Sequence, residues 1–265
     1  MVDGAVAVKR AGRSADRIVF LGHATTLIEL DGVVLLTDPL LRGRVLHLRR
    51  QVPPVDRGLV ANPAAVLVSH LHLDHLDLPS LRHLGRATPL VVPGGAGGWL
   101  RRQRFTEVTE LNVGEEAKVG TLAITAVEAR HNGHRRPGGP QAQAMGYLVR
   151  GSKSVYFAGD TELFDGMSEF ATPSARLDVA LLPVAGWGPT LGPGHMDPLD
   201  AARALRLLNP RLAIPIHWGT LLPIAISGRY RARLGDPPRQ FAEHAASLAP
   251  AVEVRILEPG QEATF

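Results

Sequence analysis

The sequence predicts an α/β (α+β) protein in which two mixed sheets form a sandwich, helices cover the outer faces, and a polar site lies along one rim. Three observations carry this expectation. Short β-type runs alternate with helical segments through both halves of the chain. Ligand-type side chains follow directly after several of those runs, at His70, His131, Asp160 and His217. The 265 residues, 45% of them hydrophobic, can furnish the core that layered sheets need. No repeat and no linker divides the chain, so residues 1–265 read as a single domain with 1–16 as a loose arm.

In chain order, strands are expected over 17–21, 25–30 and 33–37, the last two joined by Asp31-Gly32, a strong hairpin turn. His23 lies in the first bend, where it either satisfies backbone groups or joins a site. Residues 38–63 show no periodicity, and Arg42, Arg44, Arg49 and Arg50 are interleaved there with Leu41, Val45, Leu46 and Leu48. Such a stretch is a solvated loop or a lid that meets an anionic or amphipathic ligand. Residues 66–69 read as a buried strand end. A helix from 79 to 84, a strand over 90–92, a helix over 97–103 and extended chain over 107–111 follow. Strands come next over 117–119, 122–129, 144–150 and 154–158, then a helix over 163–170 and a strand over 179–183. A helix over 198–208 takes Asp197 as its N-cap, ahead of a strand over 212–216. Residues 221–236 form a second loop carrying Arg229, Arg231 and Arg233. A helix near 238–248 and a strand over 253–257 close the chain.

The chemistry concentrates in residues 66–78, VLVSHLHLDHLDL. Leu71, Leu73 and Leu76, set between the polar residues, keep this segment inside the protein. If the strand continues, period two puts His70 and His72 on one side, while Asp74 and His75 face a neighbouring point as the chain turns away. Buried, unpaired histidine and aspartate are costly, and clustering them raises the cost unless a positive charge compensates. A divalent metal ion does so most directly. The competing reading is a polar turn whose histidines cap a helix or bond to backbone.

Composition narrows the chemistry further. The chain has no cysteine, which excludes disulfides and thiolate zinc sites and leaves nitrogen and oxygen ligands for any metal. The formal charge is +4, and nearly all the positive charge is arginine. That suits an anionic partner or reflects a general preference for arginine, but the excess is modest and dispersed, which disfavours nucleic acid. No apolar run approaches the roughly 18 residues needed to span a bilayer. The first residues hold no continuous hydrophobic stretch of the secretory kind, so the expected location is cytoplasmic.

His70, His72, Asp74, His75, His131, Asp160 and His217 stand in the order HxHxDH, H, D, H, which resembles the metallo-β-lactamase superfamily along nearly the whole chain. Within it the sequence is most similar to the branch of N-acylphosphatidylethanolamine phospholipase D and the ascorbate-6-phosphate lactonases. The segments that carry this are LGHATTLIELDG, LLTDP, VSHLHLDHLD, YFAGDT, GHMDPLDA and AIPIHWGT. The resemblance implies a four-layer αββα sandwich with the metal site at one rim of the two sheets. It implies two metal sites, one on His70, His72 and His131 and one on Asp74, His75 and His217, with Asp160 bridging them. His134 competes with His131 for its position, and His131 is preferred as the first polar residue after Arg130. Asp160 could otherwise cap a helix, and His217 could otherwise be a core histidine beside Trp218.

Such a ligand set suits a pair of Zn²⁺ ions about 3.5–4 Å apart, with Mn²⁺ open, and a shared water ionised near neutral pH as the attacking base. Redox chemistry is disfavoured, because iron-binding members usually replace a histidine of the first motif with an acid and His72 is intact. Asp74 and Asp160 then belong to the catalytic set. His195, in GHMDP, would contact the scissile group or donate a proton to the leaving oxygen, unless residues 186–198 are an ordinary connector. His23 would do likewise or support a ligand from behind.

The leading expectation is therefore a dinuclear metal-dependent hydrolase acting on a phosphodiester or a phosphorylated small molecule or lipid. His195, Arg49, Arg50 and Arg229 would meet the negative charge of that substrate. An alternative is a lactone or carboxylic ester hydrolase using the same site. From another class, the chain could be a metalloprotein that binds nucleic acid or a membrane surface with little turnover, and peripheral membrane contact stays open in either case.

Overall fold

The computed structural model describes residues 15–135, 138–171, 176–185, 192–225 and 231–265. Most of the arm expected over 1–16 lies outside the described residues. The first sheet holds β1 (Arg17–Gly22), β2 (Thr25–Leu30), β3 (Val33–Thr37), β6 (Ala65–Leu67), β7 (Leu90–Pro93), β8 (Val108–Leu111) and β17 (Glu262–Thr264) in the order β17-β1-β2-β3-β6-β7-β8. The second holds β9 (Glu116–Val119), β10 (Leu122–Glu128), β11 (Met145–Arg150), β12 (Ser154–Phe157), β13 (Val179–Pro183), β14 (Leu212–Ile216) and β16 (Glu253–Val254) in the order β16-β14-β13-β12-β11-β10-β9. A small third sheet joins β4 (Arg44–Val45), β5 (Leu48–Arg50) and β15 (Leu221–Pro223).

The four layers follow from side-chain alternation. Ile18 and Phe20 of β1 face the space between the sheets and share a core with Ile124, Tyr147 and Val149 of the second sheet. Their neighbours Val19 and Leu21 face the other way, onto Leu81 of α1 (Leu78–Leu84) and Leu100 of α2 (Gly97–Arg102). Strands covered on both faces need apolar residues at successive positions, which is why these runs are continuous rather than alternating. The second sheet is covered by α3 (Pro198–Leu208) and α4 (Asp236–Leu248), which bury Leu205, Leu208, Phe241 and Ala245. Asp197 caps α3 by accepting from the Asp200 N–H at 2.8 Å, and the helix stops at Asn209 in the left-handed region, φ 42°. No described helix is long and apolar enough to cross a membrane.

Several local expectations are corrected. The strand before the histidine motif stops at Leu67, so His70 and His72 converge through an irregular turn rather than through strand alternation. The helix expected over 163–170 is a 3-10 helix, Asp165–Glu169. The closing strand shortens to Glu253–Val254, and the chain then crosses to pair Glu262–Thr264 with β1. The two arginine-bearing loops are not separate coils, because β15 pairs with β5.

Strand direction gathers the site. β1 and β3 are each antiparallel to β2, and β6 is parallel to β3, so these three end on the same side. β10 and β12 are each antiparallel to β11, and β13 and β14 continue parallel to β12, so these four also end together. The loops after those seven strands carry the polar cluster.

Candidate metal centre

His23 follows β1, Asp38 follows β3, the segment from His70 to His75 follows β6, His131 follows β10, Asp160 follows β12, and His217 follows β14. His195 precedes α3. Three of these positions have left-handed backbone without being glycine: His23 at φ 58°, Asp38 at φ 34° and His217 at φ 59°. Strain of this kind persists where surrounding contacts over-determine the chain. Here the His217 N–H donates to the His23 carbonyl at 2.7 Å, and the His23 N–H to Thr220 Oγ1 at 2.6 Å. Gly159, φ 61°, lets the chain before Asp160 approach the motif: a Cβ there would lie 2.5 Å from Ser69 Cβ.

Two groups of ligand atoms face each other across Asp160. In the first, His72 Nδ1 lies 3.0 Å from His70 Nε2 and 3.2 Å from His131 Nε2. In the second, His75 Nε2 lies 3.2 Å from His217 Nε2 and 3.8 Å from Asp74 Oδ2. Asp160 Oδ1 is 3.2 Å from His217 Nε2, while Oδ2 is 3.3 Å from His75 Nε2 and 4.0 Å from His70 Nε2. The sets His70, His72 and His131, and His23, Asp74, His75 and His217, each keep their ligand atoms within 4.8 Å of one another.

The outer nitrogens fix which inner ones carry lone pairs. His131 Nδ1 donates to the Gly194 carbonyl at 2.9 Å, and His217 Nδ1 to the Ala185 carbonyl at 2.7 Å. His75 Nδ1 donates to Asp38 Oδ2 at 2.7 Å. Ser69 Oγ gives its proton to Asp38 Oδ2 at 2.5 Å and is left to accept from His70 Nδ1 at 3.0 Å. The Nε2 atoms of His70, His75, His131 and His217 therefore point inward as acceptors, toward each other and toward two carboxylates. Asp160 Oδ1 is buried with no hydrogen-bond partner. Converging acceptors with an orphaned carboxylate oxygen fit a cation.

The charge balance agrees. Burial opposes charge on His75, yet the carboxylates of Asp160, Asp74 and Asp38 hold it well above the usual histidine range. Burial also opposes charge on Asp74 and Asp160, and the neighbouring histidines nevertheless hold both well below the carboxylate range. Burial pushes His23 and His131 down to about 4, and lowers His70, His72 and His217.

His195 Nε2 lies 3.5 Å from Asp160 Oδ2, and its ring is 4.7 Å from that of His131. His23 Nε2 is 3.1 Å from Asp74 Oδ2, so the histidine of the first bend joins the cluster. His134 stands elsewhere, its Nδ1 accepting from the Ala142 N–H at 3.2 Å. Arg50 sends its guanidinium inward to the carbonyls of Leu21 and Pro53, at 2.5 and 2.9 Å, and burial pushes it down to about 10. It braces the loop before His23, with little left to offer a ligand. Arg49 is exposed on β5, and Arg229 lies outside the described residues.

Two participants escaped the sequence reading. Asp38 sat unremarked inside LLTDP, although an aspartate closing an apolar strand is the same signal that marked Asp160. Arg135 donates from Nη1 to the carbonyls of Leu71 and Leu76, at 3.2 and 2.8 Å, bracketing the turn from His72 to His75. Its guanidinium stacks 4.9 Å from the Trp99 ring.

Comparison with known proteins agrees with this fold. Residues 34–218 match the beta-lactamase superfamily domain. The UPF0173 metal-dependent hydrolase of Methanopyrus kandleri is 36% identical over 92% of this chain and 98% of its own length. The N-acyl-phosphatidylethanolamine-hydrolyzing phospholipase D 1 of Caenorhabditis elegans is 31% identical over 76% of this chain and 63% of its own length. The structure of Igni18, a metallo hydrolase from Ignicoccus hospitalis, superposes with a TM-score of 0.70 at 28% identity, over 95% of this chain and 99% of that one. The chain belongs to the metallo-β-lactamase superfamily, among its metal-dependent hydrolases.

Proposed function

We propose that the centre holds two divalent cations, zinc in the first place, and hydrolyses a phosphodiester or a phosphorylated small molecule or lipid. His70, His72 and His131 would hold one ion and Asp74, His75 and His217 the other, with Asp160 between them. The observation that carries this reading is the inward convergence of histidine lone pairs around the unpartnered Oδ1 of Asp160. The chemistry bound divalent ions would supply there is an ionised water near neutral pH and polarisation of a scissile phosphoryl oxygen.

The chain's own residues orient and protonate. Asp38 and the carbonyls of Ala185 and Gly194 hold three imidazoles in the tautomer that presents Nε2. His23 holds Asp74 from behind through Nε2. His195 is partly exposed, as His72 and His131 are. Burial opposes its charge, but Asp160 and the Gly192 carbonyl raise it above the usual range, and its place beside Asp160 suits it to donate a proton to the leaving oxygen. The kinship with a phospholipase D supports a phosphodiester bond as the target.

The test is a hydrolysis panel on metal-reconstituted protein: bis-p-nitrophenyl phosphate, p-nitrophenyl phosphate, a lactone and a phospholipid. Metal-dependent turnover of the diester is expected. Turnover of the lactone alone would replace the phosphodiester reading, and no turnover of any substrate would remove it.

A further inference from the structure

The two arginine-bearing loops meet at a tip. β4 and β5 form a hairpin whose bend is Leu46 and His47, and β15 pairs along the other side of β5. The Ile224 N–H donates to the His47 carbonyl at 2.9 Å, which brings Ile224 beside the bend. Leu46 is 62% exposed and Ile224 53% exposed. Leu46 also has φ 49°, where a bend of this kind calls for glycine or asparagine. A leucine here satisfies neither the backbone nor the solvent.

Charge frames the same tip. Arg44 and Arg49 are directly opposite each other across the hairpin, and both are exposed. Like charges at such a pair are destabilising, and among the described residues no carboxylate pairs with either. The base of the hairpin is firm: Val45, Leu48, Leu40 and Leu221 form a buried cluster against Leu73 of the histidine motif. The Gln51 N–H donates to the Thr220 carbonyl at 2.8 Å, next to His217.

We propose that this tip docks the protein on an anionic phospholipid surface, with Leu46 and Ile224 entering the headgroup boundary and Arg44 and Arg49 meeting lipid phosphates. A bilayer surface relieves the apolar exposure and the arginine repulsion together. A second copy of the chain would cover the apolar pair but bring the same arginines. Nucleic acid would satisfy the arginines and leave Leu46 and Ile224 in water. The docking does not depend on which bond the centre hydrolyses.

Flotation of the metal-loaded protein with vesicles tests this. The wild type is expected to bind mixed phosphatidylcholine and phosphatidylglycerol vesicles about tenfold more strongly than phosphatidylcholine alone, and to be released by salt. The double variants Leu46→Asp with Ile224→Asp, and Arg44→Glu with Arg49→Glu, should each lose about tenfold of that binding. The aspartate variant should keep its metal content, which shows that its fold and centre are intact. Absence of wild-type binding overturns the proposal, as does full binding by the aspartate variant. A wild-type dimer that the aspartate variant converts to monomer overturns it too, since a second copy would then cover the tip.

Discussion

Asp38 Oδ2 lies 2.7 Å from His75 Nδ1, and neither side chain is exposed to solvent. The same carboxylate accepts from the Ser69 N–H at 2.7 Å and from Ser69 Oγ, which faces His70. One buried acid thus sets the tautomer of a histidine in each half of the cluster. Asp38→Ala should weaken metal binding by about 10–100-fold, with Asp38→Asn milder because the amide oxygen can still accept. Competition with a chromogenic chelator measures it. Unchanged affinity would make Asp38 merely a packing residue.

Arg135 brackets the turn from His72 to His75 from outside, through the carbonyls of Leu71 and Leu76. Arg135→Gln should cost about 1–3 kcal/mol of stability by leaving those buried acceptors unpaired. It should also lower metal affinity, because the turn from His72 to His75 is released. Thermal unfolding and metal titration together check this. A loss of stability with full metal affinity would confine Arg135 to the scaffold.

His131 and His134 lie three positions apart and do different things. His131 faces His72 at 3.2 Å, whereas His134 accepts a backbone N–H. His131→Ala should abolish whichever hydrolysis the protein performs, and His134→Ala should leave most of it. Steady-state rates for the pair decide the assignment, and the reverse pattern would overturn it.

Acid should destabilise the metal-free protein. His23 and His131 are held down to about 4 by burial, against 6.5 for an ordinary histidine. Across that interval the unfolded chain binds protons that the folded chain refuses. Stability is therefore present above 6.5 and lost as pH falls toward 4. His75 and His195 are raised and act in the opposite sense, losing their contribution as pH rises. The lowered group is the larger, since it includes His70, His72 and His217. The melting temperature should fall steadily from neutral pH to about pH 4. A flat or rising profile would contradict this.

The layered fold was legible because fully covered strands such as 179–183 and 212–216 must be apolar at every position, and the structure ends them where the sequence does. The helix over 198–208 was legible through its Asp-Pro start. The third sheet was not, since β4, β5 and β15 are two or three residues long and their arginines suggest solvent. β17 was missed for the same reason: its pairing with β1 is a tertiary contact that Glu262–Thr264 does not announce. In the site, spacing marked the histidine motif, but the convergence of its first two histidines came from a turn. Arg135 left no local signal, because what it holds are carbonyls near positions 71 and 76, far from it along the chain.

The central claim is tested most directly by elemental analysis of protein reconstituted with Zn²⁺ and freed of excess ion, wild type beside Asp160→Ala. Two ions per wild-type chain are predicted, with occupancy falling in the variant because the carboxylate between the two groups is gone. A well-folded wild type that retains no divalent ion, or an Asp160→Ala variant that keeps both, would contradict the account.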